Sequence, residues 1–471
     1  MKENVESFKK YGYQMVDWIA SYMENIESYP VKSQVKPNDI YKQLPEHPPA
    51  SSESIETIMA DFQDIIVPGM THWQSPNFFA YFPANSSMPS LLAEMLISAM
   101  GAQCMIWDTS PAAAELEEKV MNWLKEMLDL PTPFEGVIQD TASTATLCAL
   151  LSAREKFSDF QINEHGVQSY KFTVYCSTET HSSVEKAVKI AGLGRNSLRK
   201  IAVDEFGRMI PEQLNSAIEE DISNGFTPIC VVAAMGTTGT TAMDPIESIA
   251  HICNTHTLWL HIDAAYAGTA LILPEQRWMA KGVEHADSFV FNPHKWMFTN
   301  FDCSAYFVKD KETLIRTFEI LPEYLKTASR GEVNDYRDWG VPLGRRFRAL
   351  KLWFVIRHFG VEGIQEKIRT HIQFAQYLSN EIEHSSDFQL VCPTTLNLIC
   401  FRYAGTYEGD LNEANQRLLN QLNASGKMYL THTKVQGKYT IRMVIGQTHV
   451  TLDHVKNAWE IIQKESKQLF K

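Results

Sequence analysis

Between about residue 172 and residue 308 the chain alternates short apolar or β-branched runs with amphipathic ones, and this limits the fold more than any other feature. Residues 172–176, 229–234, 258–263, 288–291 and 305–308 read as strands. Residues 185–191 and 246–253 carry helical spacing between them. Strands alternating with helices build a mostly parallel sheet covered by helices, the α/β class. Ligands of such sheets sit at the carboxyl ends of the strands. Chemistry is therefore expected just past each run.

The flanks read differently. Residues 4–26 predict a helix with an apolar stripe of Val5, Phe8, Met15, Trp18, Ile19 and Met23, which needs a cover from the body or a partner subunit. A Pro-rich loop over 30–50 and a helix over 55–66, stopped by Pro68-Gly69, follow. Residues 71–83 crowd five aromatics and His72 without periodicity, which fits a core-lining loop and the wall of an aromatic pocket equally well. Ser110-Pro111 starts a helix, as a cap followed by proline does. Residues 310–343 are polar and poorly periodic, and Lys326, Arg330 and Gly331 mark an expected mobile loop. Helices over 346–359 and 362–382, strands near 388–403 and 439–445 and a helix over 452–464 predict a separate α+β domain. The expected division is 1–85 as an N-terminal helical segment, 86–360 as a large domain and 361–471 as a small C-terminal domain.

A net charge of −13 argues against a sequence-independent nucleic-acid binder. The eight cysteines are scattered with no C-x-x-C pair, so neither a zinc framework nor a dithiol site is expected and a reducing compartment is. The opening residues M-K-E-N-V-E-S-F-K-K hold no apolar signal core and no run of eighteen apolar residues occurs, so the expectation is a cytoplasmic protein without membrane contact.

Polar groups follow the runs as expected. Asp263 ends one and is followed by Ala264-Ala265; Gly236 to Thr241, all glycine and threonine, follow another; His181 and Lys295 follow two more. Upstream, Gln139 to Thr144 precede a helical run, and small or hydroxyl residues opening a helix offer N–H groups to a phosphate. Each signal alone is weak. Together they supply what pyridoxal phosphate (PLP) requires: an amine to bind the aldehyde (Lys295), a carboxylate for the pyridine nitrogen (Asp263), a helix start for the phosphate (Ala142, Ser143), a flat group over one ring face (His181) and a small one on the other (Ala265).

The stretches N-P-H-K-W (292–296), D-A-A-Y-A-G (263–268), H-S-S-V-E-K-A (181–187), S-P-A-A-A-E-L-E (110–117) and P-L-G-R-R-F (342–347) resemble the group II PLP-dependent decarboxylases, in their aromatic-L-amino-acid decarboxylase branch. The likeness runs from about residue 5 to about residue 465 in unbroken motif order. It implies an aspartate-aminotransferase-like fold (PLP fold type I) and a homodimer with its active site at the interface, the first helices packing on the partner. It implies that Lys295 carries the cofactor, Asp263 pairs with the pyridine nitrogen, His181 stacks on the ring, Ala142, Ser143, Thr238 and Asn292 contact it, and His294 lies beside the phosphate. L-P-E-Y-L-K (321–326) resembles the family's catalytic-loop motif, which makes Tyr324 the expected proton donor on a loop of about 316–336. Aldehyde-forming relatives carry phenylalanine for that tyrosine or asparagine for the histidine, so this chain is expected to release the amine. An aldehyde synthase is the alternative. An aminotransferase would need an arginine for the α-carboxylate, and an inactive PLP-binding dimer would be expected to lack Lys295 or Asp263.

By the same resemblance Trp73, Tyr81, Phe82 and Pro83 form the substrate wall, with Ala84, Gln103, Met105, His181 and Gly344 also in contact. No basic residue lies between 71 and 89, against an acidic substrate. Ala84, Gln103 and Met105 depart from the animal dopa-decarboxylase pattern (threonine, isoleucine and phenylalanine), and Gly344 is the choice that accompanies indolic substrates in plant relatives. The expected range is tryptophan, phenylalanine, tyrosine and dopa, with no metal.

Overall fold

The structure, a computed structural model, describes residues 5–167, 170–320 and 332–470. Seven strands form one sheet: β1 (Glu135–Gln139), β2 (Phe172–Ser177), β3 (Leu198–Ile201), β4 (Thr227–Ala234), β5 (Trp259–Asp263), β6 (Ser288–Phe291) and β7 (Ser304–Val308). Their order is β1-β7-β6-β5-β4-β2-β3. Only β7 runs against the rest, pairing antiparallel with both β1 and β6. The carboxyl ends of β1, β2, β4, β5 and β6 therefore share one edge. β4, β5 and β6 are buried nearly throughout, as parallel strands covered on both faces must be. Helix Ala142–Phe157 packs along β4 to β7, and Pro211–Ser223 and Ile246–His256 pack together and on β4.

A second sheet has the order β10-β11-β9-β8, from β8 (Phe388–Leu390), β9 (Leu398–Tyr403), β10 (Thr431–Val435) and β11 (Lys438–Val444). The packing divides the chain into two units: Met1–Pro83, Tyr377–Val391 and Ile399–Lys471 form one, Ala84–Gln376 and Cys392–Leu398 the other. The N-terminal segment thus counts with the small sheet. Within that unit Phe79 N–H donates to the Tyr429 carbonyl (3.0 Å) and Val444 N–H to the Phe79 carbonyl (2.9 Å).

Helix Val5–Glu24 fully buries none of its residues: Met15, Trp18 and Ile19 of the predicted stripe are half-buried, with Trp18 edge-on to Phe62 (5.1 Å), whereas Val5 and Phe8 are 66% and 74% exposed, so the stripe is only partly covered within one chain. The two helices expected over 346–359 and 362–382 are present within Arg348–Glu383 and are separated by a kink at Gly360, whose φ of 67° is not helical. Within the polar stretch 310–343, Lys311–Phe318 is a helix capped by Asp310 and Tyr336–Trp339 is a 3-10 turn, so residues 316–318 of the expected loop are helical; Lys326, Arg330 and Gly331, which mark that loop, lie outside the described residues. The apolar residues Leu314, Ile315 and Phe318 do repeat at helical spacing, but the intervening charges mask them.

Candidate active site

β5 and β6 are neighbours, with Asp263 paired to Val290. Past β6 the chain turns through Asn292 into the short helix Pro293–Trp296, which carries Lys295. Asn292 N–H donates to the Ala265 carbonyl (3.1 Å), and its buried amide oxygen accepts the Ser304 hydroxyl (2.6 Å). The turns bearing Asp263 and Lys295 are thereby joined.

Burial lowers the Lys295 ammonium from its usual value, and the Asp263 charge offsets part of that shift. Asp263 is 8% exposed, accepts the Ala265 N–H (3.1 Å) and makes no ion pair among the described residues. His181 lies in the field of both: burial lowers its pKa, Asp263 raises it, and Lys295 and Lys186 lower it. Its Nδ1 accepts the Ser183 N–H (3.2 Å) and faces the Ser183 hydroxyl (2.8 Å). An Nδ1 that accepts from a backbone N–H assigns the ring proton to Nε2. His181, Asp263 and Lys295 thus form one electrostatic cluster.

Ala142 and Ser143 open helix Ala142–Phe157 past β1, with Thr141 before them in extended conformation. Their N–H groups belong to the first turn, which has no acceptor inside its own helix. Thr238 lies exposed in the turn after β4. That turn begins at Gly236 (φ +89°), where a Cβ would stand 2.7 Å from the Ala267 Cβ. Only glycine meets both the conformation and the close approach. His294 is buried; its Nδ1 accepts the Cys303 N–H (2.9 Å), and burial and Lys295 push its pKa down to about 3.

Gln103 and Gly344 meet. A Cβ on Gly344 would lie 3.3 Å from the Gln103 amide nitrogen, and the Gln103 oxygen accepts the Arg345 N–H (2.7 Å). The Met105 carbonyl accepts the Arg337 N–H (2.9 Å). Trp73, Tyr81, Phe82 and Pro83 belong to the unit with the small sheet, whereas Ala84 begins the other. There Trp73 stacks on Phe78 (4.4 Å) and Tyr81 (5.8 Å), and the Arg442 guanidinium lies 5.5 Å from the Phe82 ring. Phe78 and Phe79 fill core, in line with the core-lining reading of this stretch, and Tyr81 is 48% exposed. Tyr324 lies outside the described residues.

Asn85 was not singled out in the sequence. Its side-chain amide donates to the Lys295 carbonyl (2.5 Å) and its N–H to the His294 carbonyl (3.2 Å). Ser183, which fixes the His181 tautomer, was missed too, although its place two residues after His181 is a local signal. Asn85 gives none, because its partners are about 210 residues away.

The family described as "Pyridoxal-dependent decarboxylase conserved domain" matches residues 37–404. The chain belongs to this family. Members similar to it include tyrosine decarboxylase 3 of Petroselinum crispum, 42% identical over 98% of this chain and 92% of the relative. Phenylacetaldehyde synthase of Arabidopsis thaliana is also 42% identical, over 98% and 96%. The crystal structure of Catharanthus roseus tryptophan decarboxylase in complex with L-tryptophan superposes with a TM-score of 0.95 at 38% identity, covering 100% of both chains. The PLP-decarboxylase architecture, fold type I, is thus the expected one, and the family's cofactor is PLP.

The residues present fit that cofactor. A buried carboxylate that forms no ion pair among the described residues and a half-buried lysine with a lowered pKa follow adjacent strands, and a helix start offers N–H groups on the same edge.

The buried histidines of this decarboxylase-family chain carry a pH dependence. Burial pushes His261 to about 4 and His294 and His371 to about 3, from 6.5. A ring with a lowered folded-state value takes up a proton on unfolding between the two values. Its stabilising contribution is whole above about pH 6.5 and is lost as pH falls toward 4 and then 3. Asp244 acts oppositely: burial raises its carboxyl from 3.8 to about 6, so unfolding releases a proton between those values. His72 and His181 are lowered as well and the Asp287 carboxyl is raised, so the histidines prevail, unfolding takes up protons on balance, and each net proton costs about 1 kcal/mol of stability per pH unit. Urea unfolding of the cofactor-free protein at pH 6 and pH 5 should show that fall; equal stabilities would contradict it.

Proposed function

We propose that this protein decarboxylates aromatic L-amino acids (tryptophan, phenylalanine, tyrosine and dopa) to the corresponding amines and carbon dioxide, using PLP. The observation that carries this is the Asp263–Lys295 pair at adjacent strand ends with His181 in its field. Bound PLP supplies an electron sink for the pair left on Cα when the carboxylate departs.

The protein's part follows from its residues. Lys295, with its lowered pKa, reaches the neutral form that can bind the cofactor's aldehyde covalently. Asp263 keeps the pyridine nitrogen protonated. Ala142 and Ser143 present N–H groups to the phosphate, with Thr238, Asn292 and His294 around it. His181 covers one ring face and Ala265 leaves room on the other. Tyr324 donates the proton to Cα, aided by the Nε2–H of His181. Trp73, Tyr81, Phe82, Pro83, Ala84, Gln103, Met105 and Gly344 shape the pocket for the aromatic side chain. A methylene's difference in such a pocket is worth only ~1–3 kcal/mol, which favours a broad range.

The second reading is an aldehyde synthase, favoured by the likeness to phenylacetaldehyde synthase. Tyr324 and His181 favour the amine. Mass spectrometry of products from each aromatic amino acid, with aldehyde followed in parallel, tests both. Protein that stays colourless with added PLP and forms neither product would sink the proposal.

The working form is a homodimer. Helix Met88–Met100 exposes Met88, Leu92, Met95, Leu96 and Met100, all 46–55% exposed, along one face. An apolar stripe of that kind fits a second copy of the same chain. Sedimentation velocity should give twice the 53.6 kDa chain mass; a monomer at micromolar concentration would contradict it. Among the described residues no helix is long and apolar enough to cross a membrane, and no disulfide joins any of the eight cysteines. Cysteines kept as thiols fit the reducing cytoplasm, where we place the enzyme.

A further inference from the structure

His261 has no place in the proposed chemistry, yet it sits two residues before Asp263 on β5. Side chains two apart on a strand share a face, so Trp259, His261 and Asp263 point the same way. That face looks onto helix Ala142–Phe157, because His261 Nε2 lies 3.4 Å from the Thr146 hydroxyl. Thr146 is one turn beyond Ala142, so the contact reaches the start of the helix. The other ring nitrogen, Nδ1, lies 2.8 Å from the Ser288 hydroxyl, which also accepts the Trp259 indole N–H (2.9 Å). Ser288 opens β6, the strand that leads to Lys295, and pairs with His261 in the sheet. His261, Thr146 and Ser288 are all 0% exposed.

One ring therefore holds three elements: the strand ending in Asp263, the strand leading to Lys295 and the helix opening at Ala142-Ser143. With its pKa near 4, it stays neutral and keeps both contacts at physiological pH.

We propose that His261 is a positioning residue that sets the span between the phosphate-holding helix start and the carboxylate of Asp263, so that the two ends of PLP are gripped together. This rests on the proposed PLP site. A cofactor held at both ends gains from its phosphate only if the phosphate grip and the ring grip are in register. A histidine that merely filled core would, on removal, weaken every ligand of the site alike.

The test compares PLP with pyridoxal, which has the ring and aldehyde but no phosphate. Dissociation constants are measured by absorbance on the full chain freed of cofactor, for wild type, His261→Leu, Thr146→Val and the double variant. Wild type should favour PLP strongly. In each single variant that preference should fall by about 10- to 100-fold, the usual cost of losing a group that orients a ligand-holding residue. Pyridoxal affinity should change little. The double variant should be no worse than the poorer single one, since both break one linkage. Equal weakening of both ligands, or an unchanged preference, would overturn the proposal. Should His261→Leu fail to fold, the near-isosteric Thr146→Val decides by the same ratio. Wild type that bound neither ligand would overturn the functional reading, and this inference with it.

Discussion

Lys295→Ala should leave a folded protein that no longer retains PLP through gel filtration and turns over several orders of magnitude more slowly. Deleting a covalent nucleophile costs up to ~10⁶-fold in enzymes whose catalytic groups act as a unit. The fold should tolerate the change. The Lys295 N–H and carbonyl are engaged by the Asn292 carbonyl (2.9 Å) and the Asn85 amide (2.5 Å), and both are backbone groups that alanine keeps. Removing the amine relieves a desolvation cost but also takes the nearby cation from Asp263, and the two changes oppose each other. The thermal midpoint of the cofactor-free variant should therefore shift by only a few degrees, the effect of ~1 kcal/mol. Borohydride should fix PLP to the wild-type peptide containing residue 295 and to no peptide of the variant. Wild-type turnover by Lys295→Ala would end the assignment.

Tyr324→Phe should change the product as well as the rate. A positioned proton donor contributes ~10²–10⁴-fold, and amine formation should fall by that order. With protonation of Cα slowed, oxygen competes, and each substrate oxidised should consume one O₂ and one water and release CO₂, aldehyde, ammonia and one H₂O₂. An oxygen electrode and aldehyde detection read both. His181→Asn should move the product the same way, because the Nε2–H that assists the proton is lost. An unchanged rate with amine as sole product in Tyr324→Phe would remove the tyrosine from the reaction.

Much of the site was legible because its chemistry stands at strand ends. Asp263 ends one short apolar run and Lys295 follows another through a Pro-containing turn, and the two runs are neighbouring strands. Short or polar strands gave no such signal. β1, E-G-V-I-Q, and β3, L-R-K-I, offer two apolar residues each and owe their strand form to pairing with β7 and β2. Helix Met88–Met100 was overlooked because an almost wholly apolar run has weak helical periodicity. Asn85 and His261 were illegible for another reason: each acts through contacts more than 25 residues away in sequence, which no local pattern encodes.

The Ser183 lock on His181 has a stereochemical consequence. With Nδ1 committed to the backbone, the imidazole cannot turn over, so its Nε2–H points to one side only. If His181 lies on one ring face and the small Ala265 on the other, the two faces of the substrate's Cα are unequal, and the new hydrogen should arrive from the histidine side. Decarboxylation in D₂O should then give an amine with one deuterium at that carbon in a single configuration, readable by NMR after derivatisation with a chiral acid. A racemic label would mean that the proton comes from solvent without regard to face.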